Sequence, residues 1–188
     1  MFAAAAPPAA AQQYEVDLHR PRRVVFHSKA SIEEFDGVTD RVDGYVNWAG
    51  GGALNAATNM QGSEFYFEVD LNSLDTGMGR RNRHMRENYL ETARYPYATY
   101  KGTIRNITAG HGDTLVAAVS GAFTVHGVER TVGVACPVVP EGQGGYRVRC
   151  RFPVRLSDHQ IKIPSIMIMK LNNQVDLTVD FAVARAEH

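Results

Sequence analysis

LVAAVSGAFTVHGVERTVGVACPVVPEGQGGYRVRCRFPVRL, residues 115–156, decides the fold. Apolar or small residues recur at every second position: Leu115, Ala117, Val119, Gly121 and Phe123, then Val132, Val134, Cys136 and Val138, then Val148, Cys150, Phe152, Val154 and Leu156. Arg147, Arg149, Arg151 and Arg155 fill alternate positions of the last run. A period of two sends successive side chains to opposite faces, so each run reads as a strand with one apolar and one wet face. His126-Gly127 suits a two-residue type I′ turn, since Gly and, less readily, His accept positive φ. That turn sets Val119 opposite Val134, Ala117 opposite Cys136 and Leu115 opposite Val138. The next turn, EGQGG at 141–145, sets Val138 opposite Val148, Cys136 opposite Cys150, Val134 opposite Phe152 and Val132 opposite Val154. Both hairpins put one apolar column on one face. A slip by one residue would turn Arg149 and Arg151 inward, at large cost.

This register makes the chain's two cysteines cross-strand neighbours on the inner face. A disulfide there requires a non-hydrogen-bonded pair, because opposed strand residues hold their Cβ atoms ~4.5–5.5 Å apart and a disulfide prefers ~3.5–4.5 Å. The alternative is two buried small hydrophobes. The register also turns Arg130 inward opposite Phe123. At a barrel end it would either meet a polar head group or carboxylate, or snorkel into solvent.

The same alternation covers residues 24–30, 42–48, 65–71, 98–104 and 175–183, with a short lead-in at 14–18. Eight strands are enough to close a barrel that holds one small ligand. GRRNRHMRENYL, 79–90, breaks the period and reads as a covering helix, with Met78, Met85 and Tyr89 near one stripe. Asp75 or Thr76 is expected to cap it, and Pro96 to end the excursion. The stretch 157–173, with Ile161, Ile163, Ile166, Met167, Ile168 and Met169, is too apolar for a free loop and is expected to fold over an apolar surface. Gly50-Gly51-Gly52 has no phosphate-loop context and reads as a flexible connection.

The 188 residues suit one domain. Twenty Lys and Arg balance twenty Asp and Glu, so the basic excess of a nucleic-acid binder is missing. No run approaches the ~20 apolar residues of a membrane span. MFAAAAPPAAAQQ, 1–13, carries Ala9-Ala10-Ala11 before Gln12, which fits a signal-peptidase site. It reads as an export-signal remnant or an Ala/Pro leader, leaving 14–188 as the domain and the periplasm or exterior as the expected location. The seven histidines form no HxH, HExxH or Cys/His spacing, and there is no GxSxG. Neither a metal, a cofactor nor an enzyme nucleophile is expected. The chemistry therefore rests on the barrel lining. The predicted ligand-binding residues are Val24, Phe26, Trp48, Phe65, Phe67, Val69, Phe123, Val134, Phe152 and Val154, with Met85 and Tyr89 from the helix, Met167 from the late stretch and Arg130 at one end. Alternation is the same for a solid barrel and a hollow one.

Three stretches resemble one family. SLDTGMGRRNRHMRENYLETARYPY (73–97), TVHGVERTV (124–132) and VVFHSKASIEEFDG (24–37) are similar to segments of the YceI-like family. The first is the most specific: Asp-Thr-Gly, then Arg and His on a helix, then Tyr-Pro entering a strand. The likeness extends over about 14–185. Arg83, His84 and Tyr89 fall on the family's helix motif and His126-Gly127 on its hairpin motif. Residues 28–32 depart from it, lacking a His and Gly many members carry there. The resemblance implies an all-β, eight-stranded antiparallel lipocalin-like barrel with one covering α-helix. It implies bacterial, secreted or periplasmic members, often dimers, that bind polyisoprenoids, quinone-type molecules or fatty amides. An apolar lipid or isoprenoid is thus the expected partner. An enzyme acting on a prenyl or quinone substrate, and a ligand-free stress or assembly protein, are the alternatives.

Overall fold

The computed structural model describes residues 12–30, 33–163, 165–166 and 169–186. β1 (Gln12–Val16) and β2 (Arg23–Ala30) run antiparallel to β11 (Met169–Arg185) and are two halves of one stave: Val16 pairs with Val183 and Val24 with Val179. β3 (Glu34–Thr39) and β4 (Val42–Trp48) form the next stave, β3 against β2 and β4 against β1. Then come β5 (Glu64–Asp70), β6 (Tyr97–Ala109), β7 (Leu115–Val125), β8 (Val128–Glu141) and β9 (Gly145–Arg155), each antiparallel to the last, and β9 returns to β11. The result is a closed eight-stranded antiparallel barrel. β10 (Ser165–Ile166) pairs with the start of β11. β3 has β2 on one side and the Val38–Asp75 bridge on the other. β3 is the strand the alternation did not reveal; it lengthens an expected stave and leaves the count unchanged.

The first hairpin holds the expected register throughout; the second holds it at Val138–Val148 and at Cys136–Cys150, and the expected Val134–Phe152 and Val132–Val154 pairs do not form. Val119 pairs with Val134, Ala117 with Cys136, and Val138 with Val148. His126 and Gly127 take φ of 54° and 71°, the positive pair a type I′ turn demands. The arginines of β9 face outward: Arg147 and Arg149 pair with Asp180, and Arg151 with Asp176 at 3.2 Å. Cys136 and Cys150 are joined in a disulfide with Cα atoms 4.6 Å apart, the separation of a non-hydrogen-bonded pair.

The β8–β9 ladder stops at Val138–Val148, although both strands continue. The two-residue turn makes even-numbered residues of β8 bond to β7 and aims odd-numbered ones at β9. Pro137 is one of the latter, and Pro153 occupies the matching set on β9. A proline has no N–H to donate, so each deletes a rung. Beyond the disulfide these two strands share no rung among the described residues. A 3-10 turn at Leu156–His159 reaches across instead: the His159 ring Nδ1 lies 2.8 Å from the Val128 carbonyl, and the His126 ring Nδ1 lies 3.2 Å from the His159 carbonyl.

Each barrel end has its own apolar cluster. At one end Trp48, 2% exposed, stacks on Tyr14 at 5.4 Å and leans on Tyr146 at 5.8 Å. The 49–63 connection is tied there, not loose as its glycines suggest: the Leu54 N–H donates to the Tyr146 hydroxyl at 2.9 Å, and Met60 is buried. At the other end lie Leu71, Leu74, Phe123, Phe152 and Val154, with helix α1 (Gly79–Asn88) across them. The helix stops at Asn88, short of the expected Leu90, because Glu91 takes a left-handed φ of 46° and turns the Leu90 and Thr92 amides back onto Met85 and Arg86. Neither Asp75 nor Thr76 caps it. Met78 holds the cap position without a side-chain bond, and buried Asn82 reaches back from within the helix. Its Oδ1 accepts from the Thr76 N–H at 2.8 Å and hydroxyl at 2.6 Å, and its Nδ2 donates to Asp75 at 2.7 Å.

Candidate functional site

The barrel is hollow. Its interior holds a cavity of about 730 Å³, bounded by the inward column of every stave and closed at the Trp48 end. Volumes of 300–1,000 Å³ are usual for small-molecule sites. The hollow follows from how the residues are spaced. Small side chains stand among the rings: Ala117 and Val119 border the cavity, and Gly102 and Gly121 face each other across β6 and β7, with Phe65 opposite Gly102 on its other side. A Cβ on Gly121 would lie 2.1 Å from the Lys101 carbonyl oxygen, so glycine is what lets β6 and β7 coil tightly there.

Of the predicted lining, Val24, Phe26, Trp48, Phe65, Phe67, Val69, Phe123, Phe152 and Val154 border the cavity, with Met85 and Tyr89 from α1. Val134 is buried in the cluster around Phe123 and Cys136 and does not reach the cavity surface. Arg130 is a correction. It pairs with Phe123 as expected, but its side chain is exposed and its guanidinium donates to the Glu129 carbonyl at 2.8 Å. At the start of a strand the long side chain bends to water more cheaply than it buries a charge. Met167 lies outside the described residues. Leu71, at the end of the 65–71 alternation, also borders the cavity, as does Ile161, which carries the late apolar stretch inward as anticipated for that segment; Leu74, just after a 3-10 turn, is the unexpected contributor. Tyr100, Ile104 and Phe181 sit in the alternating inward columns and were legible there.

Polar groups inside are few. The Tyr100 hydroxyl donates to the Val132 carbonyl at 2.8 Å, and burial pushes its pKa up to about 12. It is therefore neutral at physiological pH and already satisfied. The polar lining gathers at the α1 end, where Glu33, Arg80, Arg81 and His84 border the opening. Arg81 bridges Glu33 at 2.7 Å and stacks over Phe35 at 4.1 Å, tying α1 to β3. The site thus has a greasy shaft, a sealed aromatic end and a charged rim. Among the described residues no three His, Cys, Asp or Glu side chains gather where they could hold a metal ion. No described helix is long and apolar enough to cross a membrane.

Comparison with known proteins gives this geometry relatives. A UPF0312 protein of Vibrio cholerae is 28% identical over 123 residues, 63% of this chain and 61% of that protein. A UPF0312 protein of a Shewanella strain is 32% identical over 95 residues, 48% of each chain. The chain therefore spans between about half and three fifths of the curated relatives it matches. Among solved structures, Burkholderia cenocepacia BcnA superposes with a TM-score of 0.71 at 20% identity, covering 90% of this chain and 99% of that one. A polyisoprenoid binding domain from Saccharophagus degradans, implicated in plant cell wall breakdown, gives 0.69 at 16% identity, covering 94% and 100%. At these identities the two structures speak for the fold. The family description "YceI-like domain" matches residues 14–183, nearly the whole barrel. This chain belongs to the YceI-like family.

Proposed function

We propose that this protein binds one apolar chain molecule of the polyisoprenoid, quinone or fatty-acid kind along the barrel axis, and carries or stores it. The observation behind this reading is the cavity of about 730 Å³ inside a closed, almost wholly apolar wall. That space equals on the order of two dozen waters at ~30 Å³ each, and an apolar lining gives water few partners. A chain filling it gains roughly 0.8 kcal/mol per buried methylene, so about a dozen methylenes contribute on the order of 10 kcal/mol before ordering costs. Affinity of that origin needs no particular polar contact, and selectivity follows shaft length and width. The Saccharophagus domain, whose description names polyisoprenoid binding, shares this fold. The Cys136–Cys150 disulfide favours an oxidising compartment, so export to the periplasm or exterior belongs to the same proposal. The disulfide also takes both thiols of the chain out of consideration as nucleophiles.

The test is to purify the protein from its own host without detergent, extract it with organic solvent and analyse the extract by mass spectrometry. A chain-like apolar molecule near one per protein is expected. An extract free of such a molecule, from protein that also takes up no added polyisoprenoid or fatty probe, overturns the proposal.

A further inference from the structure

Net charge is zero over the whole chain, yet α1 carries Arg80, Arg81, Arg83 and Arg86 against the single acid Glu87. Two of these arginines are spoken for. Arg81 holds Glu33, and the Arg86 guanidinium donates to the Asn72 carbonyl at 2.7 Å. Arg80 and Arg83 are exposed, and neither has an ion-pair partner among the described residues. Beside them stands Met78, 53% exposed although it also borders the cavity opening. Only three large hydrophobic side chains are this exposed among the described residues, and a second, Tyr97, follows the same cover at the start of β6. Met78 thus projects into water beside two guanidinium groups that make no ion pair among the described residues. A basic surface with a projecting apolar side chain is how a protein lies on an anionic bilayer.

We infer that the α1 rim is a docking face for an anionic lipid bilayer. Arg80 and Arg83 meet lipid phosphates, and Met78 dips into the acyl boundary, so the cavity opening faces the membrane. An apolar chain then moves between bilayer and shaft without crossing water. The inference concerns the rim alone and holds whether or not the shaft is occupied, so its failure is separable from that of the binding proposal.

The test is co-sedimentation of the full chain with vesicles of phosphatidylglycerol and phosphatidylcholine, and with phosphatidylcholine alone. At low salt the protein should bind the anionic vesicles, leave the neutral ones, and dissociate as salt is raised. Arg80→Ala with Arg83→Ala keeps good helix formers on α1 and should weaken binding about thirtyfold, from roughly 1 kcal/mol per basic group near the surface. A charge-matched control, Lys101→Ala with Arg105→Ala on the exposed outer face of β6, should change binding less than about threefold. Met78→Asp should weaken it as well. Unfolding midpoints of all variants establish that they are folded. No binding to anionic vesicles at low salt, or equal loss in both double variants, overturns the inference.

Discussion

Replacing Cys136 and Cys150 together by Ala removes the one covalent link across the β8–β9 seam, and the effect is calculable. The bonded residues are 14 apart in sequence. Closing a loop of that size removes chain entropy from the unfolded state worth about 3 kcal/mol at 25 °C. For a chain of this length each kcal/mol moves the unfolding midpoint by about 2–4 °C, so a fall of roughly 6–12 °C is expected in calorimetry or thermal circular dichroism. The structure adds a location to the magnitude. Pro137, between the ladder and the disulfide, and Pro153, beyond the disulfide, have already deleted rungs, so among the described residues the Leu156–His159 turn is the other polar tie across the seam. Amide hydrogen exchange should therefore accelerate most at Val139 and Arg147, which form the rung nearest the disulfide. The β6–β7 ladder, unbroken apart from one bulge near Ile104, should hardly change. A midpoint lowered by less than about 2 °C, or exchange that rises evenly around the barrel, would refute the reasoning that the disulfide substitutes for missing rungs.

The Phe152 ring lies 5.6 Å from that of Phe123 and 6.1 Å from that of Tyr100, so Phe152→Arg introduces a charge into the apolar lining, and uptake of a fluorescent fatty probe should be lost; undiminished uptake would contradict the lining. Trp48→Ala should cost about 3–5 kcal/mol in denaturant unfolding, since the ring is 2% exposed and seals one end, and a cost below ~1 kcal/mol would mean that end is not packed as described. The Asn82 amide and the Gly77 N–H hold the Asp75 carboxyl below the usual carboxylate range. A depressed folded pKa gives stability that is present above the unfolded value of about 4 and lost as pH falls through the lower folded value. Exchange protection of α1 should therefore persist at pH 5 and fade only well below 4, and loss already near pH 6 would point to a histidine instead.

The wall was legible from residues 115–156 because two short turns and one arginine row admit a single register. β3 was not, since Gly37 and Thr39 stand where its inward column would have to be apolar, and its place comes from β2, through His27 to Asp36 at 2.7 Å and the Phe26 ring on Phe35 at 6.1 Å. Leu74 was hidden for a different reason: it lies just after a 3-10 turn, where spacing says nothing of direction. Arg130 shows the limit of register itself, which fixes the backbone pair but not where a long side chain ends. The volume of the shaft was out of reach, because the period of two is identical in a packed barrel and a hollow one.

The most direct test of the hollow shaft is diffraction from protein purified from its own host without detergent or added lipid. Elongated density running from the Trp48 end toward Arg80, with Phe67, Phe123 and Phe152 along its sides, is the expected result. Side chains closed onto one another along the axis, leaving no space for a guest, would contradict it.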